Sequence, residues 1–130
     1  MQYQCTLLIP ALTAQANPAR ATISLGPGII SKVSIIFPPG CAGLAHIQIL
    51  HKEHLLFPSS PDENYIGDTF PIEWIEYFPL NEGPYELTVI GWNTDTLYSH
   101  SPMVRFEMLS KAKTLGDYFK RLFGASDLSG

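Results

Sequence analysis

Between Gln2 and Leu109 the chain alternates apolar and polar residues in short runs, most of them closed by proline, glycine or asparagine. A period of two is the signature of a half-buried β-strand. Strands are predicted at 2–9, 19–25, 29–37, 44–51, 72–78, 85–92 and 102–109. In 29–37 the alternation sets Ile29, Ser31, Val33, Ile35 and Phe37 against Ile30, Lys32, Ser34 and Ile36. In 44–51 it sets Ala45, Ile47 and Ile49 against His46, Gln48 and Leu50. Residues 85–92 give Tyr85, Leu87 and Val89 opposite Glu86, Thr88 and Ile90, and 102–109 give Val104, Phe106 and Met108 opposite Arg105 and Glu107. Turns are marked by Pro10, Gly26-Pro27-Gly28, Pro38-Pro39-Gly40, Asn81-Glu82-Gly83-Pro84 and Asn93-Thr94-Asp95. Each supplies residues that interrupt a ladder or adopt tight backbone angles. The segment 57–71, with Pro58, Pro61, Gly67 and Pro71, reads as a long connection. Seven to eight short strands without helical segments between them predict a mainly β protein. The expected architecture is an antiparallel β-sandwich or a small jelly roll. A doubly wound parallel sheet is excluded, because its crossover helices have no counterpart.

The period changes beyond residue 110. Leu115, Tyr118, Phe119, Leu122 and Phe123 fall at i, i+3, i+4, i+7 and i+8, one face of an α-helix. Thr114 and Asp117 resemble a capping box, and Gly124 stands where a helix would stop. Lys120 and Arg121 lie off the apolar face near the C-terminal end, where the helix dipole favours cations. The expectation is a sandwich over 1–109 and a helical arm over 110–130. A helix of about ten residues is marginal alone in water. It also contains Gly116, which costs about 1 kcal/mol relative to Ala. The arm therefore needs a surface: its own sandwich, another subunit or a membrane. A short, mildly cationic helix fits the membrane least.

At 130 residues the chain fits one domain, and 45% apolar residues suffice for one core. Charged residues make up only 15%, against about 25% in a typical domain. Such a surface is expected either where a partner covers part of it or where Ser, Thr, Asn and Gln replace charges. Residues 1–110 carry four basic residues against ten acidic ones, a net of −6, and residues 111–130 carry four against two, a net of +2. An acidic body argues against binding to a nucleic-acid backbone, which relies on Lys and Arg. The basic arm suits an acidic surface, including that of a neighbouring copy. Cys5 and Cys41 are expected as reduced thiols. The N-terminal residues lack the pattern of a secretion signal, and no run reaches the roughly 18 apolar residues of a membrane helix. Synthesis in the cytosol is expected, with retention there or packing into a larger particle.

The search for chemistry yields little. His51-Lys52-Glu53-His54 lacks the His-Glu-x-x-His spacing of zinc proteases. Asn93 with Asp95, or Asp62, Glu63 and Asp68, could offer calcium oxygens but match no EF-hand loop. Ser99-His100-Ser101 is not a nucleophile elbow, and neither cysteine sits in a catalytic signature. Glu73 and Glu76 could serve as a glycosidase pair, which requires about 5–9 Å between carboxylates. No phosphate-cradling loop occurs. No catalytic residue, metal or cofactor is therefore expected. Aromatic residues concentrate in the second half, and Trp74, Tyr77 and Trp92 are the candidate surface anchors, for a protein or a sugar.

The stretch Ile35-Ile36-Phe37-Pro38-Pro39-Gly40, then Ile66-Gly67-Asp68, then Gly91-Trp92-Asn93 and a last strand resembles the layout of small β-sandwich accessory proteins of tailed-phage virions. The resemblance covers residues 30–108. It implies a non-catalytic protein of the decoration or cement type, which oligomerises and binds a lattice through edge strands and terminal arms. The expected function is a structural protein that self-associates and docks on a larger scaffold. Its contacts would come from the arm residues Leu115, Tyr118, Phe119, Leu122 and Phe123, with Lys120 and Arg121. The alternatives are a carbohydrate-binding module built on exposed aromatics, and a small hydrolase using Glu73 or Glu76.

Overall fold

A computed structural model describes residues 1–60 and 62–110. Eight strands run in the order β1 (Gln2–Thr6), β2 (Ala19–Ser24), β3 (Gly28–Ile36), β4 (Ala45–His51), β5 (His54–Phe57), β6 (Ile72–Leu80), β7 (Glu86–Asn93) and β8 (Met103–Ser110). They form two four-stranded sheets, β1-β8-β3-β6 and β2-β7-β4-β5, with every pair antiparallel. The pairings β1–β8, β2–β7, β3–β6 and β4–β5 are those of one long hairpin, tip at β4–β5, rolled onto itself. Joining its edges through β3–β8 and β4–β7 gives the strand order of a jelly roll. The predicted arm lies outside the described residues.

The inner faces make one core. Val33, Ile35, Val104 and Phe106 of one sheet and Ile47, Ile49, Leu87 and Val89 of the other are fully buried. Burying a side chain of this size contributes about 1.5–3 kcal/mol. The alternation predicted for β4, β7 and β8 places these residues correctly. In β3 it does not. A bulge at Ser31 shifts the register between Ile30 and Lys32, so Ile30, not Ile29, shares the core face with Val33 and Ile35. One extra residue reverses the faces on one side of the bulge.

β5 was not predicted. His54 pairs with His51 across the two-residue turn Lys52-Glu53, and both turn residues have positive φ, 52° and 64°. This is the primed geometry that matches strand twist, usually signalled by Asn-Gly. Lys-Glu carries no such signal, and a four-residue strand offers little alternation to detect.

The antiparallel registers fix the ends of the molecule. The connections 7–18, 37–44, 58–71 and 94–102 gather at one end, and 25–27, 52–53 and 81–85 at the other.

Candidate interaction surface at the loop end

The four long connections are stitched together by backbone hydrogen bonds. Leu12 N donates to Asp95 O at 3.0 Å, Asn93 N to Thr13 O at 3.0 Å, Thr94 N to Leu44 O at 3.0 Å, Gly43 N to Gly67 O at 3.3 Å and Thr69 N to Phe37 O at 3.0 Å. The β1–β8 register also continues past both strands, with Leu7 N donating to Pro102 O and Ile9 pairing with His100. Leu7 and Ile9 then tuck over Gly91 of β7. A Cβ at residue 91 would lie 2.6 Å from Ile9 Cδ1 and 2.9 Å from the carbonyl oxygen of His46. Only glycine admits that approach.

Asn93 is the hub. It is 1% exposed, and its Nδ2 donates to the carbonyls of Ile9 at 3.2 Å, Pro10 at 3.3 Å and Tyr98 at 2.9 Å. Its Oδ1 accepts Asp95 N at 2.9 Å. The Asp95 carboxylate accepts from the backbone N–H of Leu97 at 2.9 Å and of Tyr98 at 3.2 Å, and lies 2.9 Å from His100 Nε2. An ionised carboxylate only accepts, so Nε2 carries the hydrogen. The Leu97 N–H, followed by the His100 side chain, holds the Asp95 carboxyl below its usual range. The side-chain oxygens that could have made a calcium loop of Asn93 and Asp95 are thus engaged, Asn93 Oδ1 and Asp95 Oδ1 by backbone N–H groups and Asp95 Oδ2 by the His100 ring. In connection 58–71, Asp68 Oδ1 accepts Gly40 N at 2.8 Å. Among the described residues no three or more His, Cys, Asp or Glu side chains are grouped to hold a metal ion.

This polar interior supports an apolar exterior. Nine large apolar side chains are exposed among the described residues, and six of them, Leu8, Leu12, Ile66, Phe70, Leu97 and Tyr98, lie in the connections of this end. Phe70 is 79% exposed and Leu97 76%. The remaining three are Met1 and, on β6, Ile75 and Tyr77.

The predicted aromatic anchors separate. Tyr77 is 44% exposed on β6. Trp74 instead faces inward and is half-buried, its ring stacked on Tyr65 at 5.0 Å and edge-on to Phe57 at 5.6 Å. The cause is connection 58–71, which folds back so that Tyr65 pairs with Ile47 and fills the open side of the sandwich. Trp92 is 6% exposed, with its ring parallel to His46 at 5.2 Å. His46 is held in place by Asn64 Oδ1 at 2.8 Å. Trp74 and Trp92 therefore do not serve as open stacking platforms. Glu73 and Glu76 point to opposite faces of β6. Glu73 meets Ser34 and Lys32 on the outside, while Glu76 accepts from Trp74 Nε1 at 3.0 Å. They cannot flank one glycosidic bond.

The histidines are dispersed: His51 packs edge-on to Phe78, His54 is exposed on the hairpin, and His46 and His100 are engaged as described. Cys5 and Cys41 are free thiols, both raised in pKa by burial. Leu115, Tyr118, Phe119, Lys120, Arg121, Leu122 and Phe123 lie outside the described residues. No helix among the described residues is long and apolar enough to cross a membrane. Comparison with known protein families and curated proteins finds no match.

Strand periodicity could not reveal the loop-end surface, because it ranks only residues inside strands. One local signal existed: Leu8 is apolar at an outward position, next to Leu7 and Ile9, which face inward.

Proposed function

We propose that this protein is a non-catalytic assembly module that self-associates and docks on a larger protein scaffold. The observation that carries the reading is the loop end, where six exposed apolar side chains stand on connections locked by buried hydrogen bonds. Exposed apolar clusters of this kind mark interaction sites on soluble proteins, and a rigid base lowers the ordering cost of binding. The amphipathic arm predicted over 110–130 supplies a second contact, with Leu115, Tyr118, Phe119, Leu122 and Phe123 as its apolar face and Lys120 and Arg121 as its charges. The layout resemblance to virion decoration and cement proteins is in keeping with this role, and so is synthesis in the cytosol before incorporation into a particle.

The test is the mass of the full chain in solution by light scattering. Wild-type protein should form an oligomer. Phe119→Ala combined with Phe123→Ala, and separately Leu97→Asp, should each weaken it by at least about tenfold in dissociation constant, which corresponds to about 1.4 kcal/mol. A wild-type chain that stays monomeric at every accessible concentration and binds no scaffold would overturn the reading.

A further inference from the structure

We infer that the apolar face of the 111–130 arm docks on its own chain, with Phe119 seated in a ring-sized slot at the end opposite the long connections. The inference goes beyond the assembly reading, because it names where the arm is held and not what the loop end contacts.

The slot lies where the two sheets part. The sandwich has two open sides, one between the edge strands β5 and β6 and one between β1 and β2. Tyr65 and Trp74 fill the first. On the second, beside the 25–27 turn, a cavity of about 180 Å³ is lined by Met1, Tyr3, Leu25, Pro27, Met108 and Leu109. Leu25 and Met108 are buried at its base, and Met1 and Pro27 are exposed at its rim. The walls are fixed, because Met108 N donates to Met1 O at 2.8 Å and Leu25 N to Tyr85 O at 2.8 Å. No described residue fills this slot.

Size and position select the occupant. An apolar cavity of about 150 Å³ holds one benzene ring, whereas pockets for drug-sized ligands run to about 300–1,000 Å³. One aromatic side chain therefore fits. The chain brings its own: β8 ends at Ser110, which pairs with Gly28, the residue after Pro27, and Leu109 is part of the slot wall. Residues 111–114 span up to about 14 Å when extended, enough to turn the predicted helix back over the slot. At about 100° per residue, Leu115, Phe119 and Leu122 lie at the centre of the predicted face, with Tyr118 and Phe123 at its margins. Phe119 is the central ring. A short tether gives an effective concentration on the order of millimolar, which favours the chain's own slot over a neighbour's. Charge does not decide the matter, since Glu82, Glu86 and Glu107 stand near this end with Lys52, and Glu53 is paired with Arg20. Docked this way, the arm still offers Tyr118, Lys120, Arg121 and Phe123 to a partner.

Disulfide trapping in the full chain tests this. Pro27→Cys with Leu122→Cys should close an intramolecular bond under mild oxidation at least about tenfold faster than Glu82→Cys with Leu122→Cys. Residue 82 closely follows Leu80, which pairs with Gly28 as Ser110 does, so an undocked arm reaches both positions alike. The native thiols give a low background, because burial raises both in pKa and the thiolate is the reactive form. Adding Phe119→Asp should remove the advantage, and Phe119→Leu should keep part of it. Equal rates for the two pairs, or an advantage that Phe119→Asp leaves intact, would overturn the inference. Bonds formed only between chains would seat the arm in a neighbour's slot and overturn it too. The mass of the chain judges the assembly reading separately. An oligomer without preferential closure leaves that reading standing, and preferential closure in a chain that stays monomeric leaves the docking standing without it.

Discussion

Asn93 Nδ2 donates to the carbonyl of Ile9, 84 positions away in sequence, across 3.2 Å in the buried base of the loop end. The same amide serves Pro10 and Tyr98. One side chain thus ties the end of β7 to both segments that display Leu8, Leu12, Leu97 and Tyr98. Asn93→Ala would take the donor from the Tyr98 carbonyl and the acceptor from Asp95 N, while the Ile9 carbonyl keeps His100 N and the Pro10 carbonyl keeps Thr13, at a cost of about 1–3 kcal/mol. Thermal unfolding should show Tm lowered by roughly 10 °C, and amide exchange in 94–102 should quicken more than in β3. Unchanged exchange in 94–102 would show that the hub does not hold the loop.

Asp95 gives a pH signature. Its carboxyl is held below the usual value by the Leu97 N–H first and then by His100, so the ionised form is favoured in the folded chain. A depressed carboxyl stabilises the fold fully above its unfolded pKa of about 3.9, and this is lost as pH falls through the lower folded value. The Tm difference between wild type and Asp95→Asn should therefore be present at about pH 5 and above and shrink below about pH 4. A difference that persists to pH 2 would assign the effect to shape and not to charge.

Gly91→Ala places a methyl group against Ile9 Cδ1 and the backbone of His46. The side chain of Ile9 can rotate, but the carbonyl of β4 cannot move without disturbing its ladder. A loss of about 1–3 kcal/mol is expected in a chemical unfolding curve with unchanged m-value. A neutral substitution would mean that the 7–9 segment is not packed over β7.

The Lys52-Glu53 turn can be improved. Each residue sits in the left-handed region, which costs an L-residue about 1–2 kcal/mol and asparagine less. Glu53 also forms an exposed ion pair with Arg20 at 2.8 Å, worth about 0–1 kcal/mol, so replacing it would lose part of the gain. Lys52 has no such conflict, and Lys52→Asn should stabilise the fold by about 0.5 kcal/mol. A lower denaturation midpoint would contradict the turn assignment.

The fold was legible wherever burial is one-sided. β8 alternates throughout and β7 from Glu86 to Ile90, because one face meets the core; in β4 the residue types alternate although Gln48 and Leu50 are buried as well as Ile47 and Ile49. β5 was hidden because its turn uses Lys-Glu in a conformation normally marked by glycine or asparagine. The faces of β3 were misassigned because a bulge at Ser31 changes parity without changing composition. Trp74 was read as a surface anchor because the return of Tyr65 onto its ring is a long-range contact that no local pattern encodes. The loop-end patch was illegible for the same reason. Leu8, Leu12, Ile66, Phe70, Leu97 and Tyr98 are scattered over 90 residues, and only the rolled hairpin brings their connections together.

The most direct test of the central claim, that the loop end is a contact surface, is sedimentation of the full chain over a wide concentration range, with and without Leu97→Asp and Phe70→Asp. The account predicts a wild-type oligomer and a monomer for the doubly substituted chain, with the same far-ultraviolet circular dichroism and a Tm within a few degrees. An oligomer of unchanged affinity in the substituted chain, or a monomer in both, would contradict it.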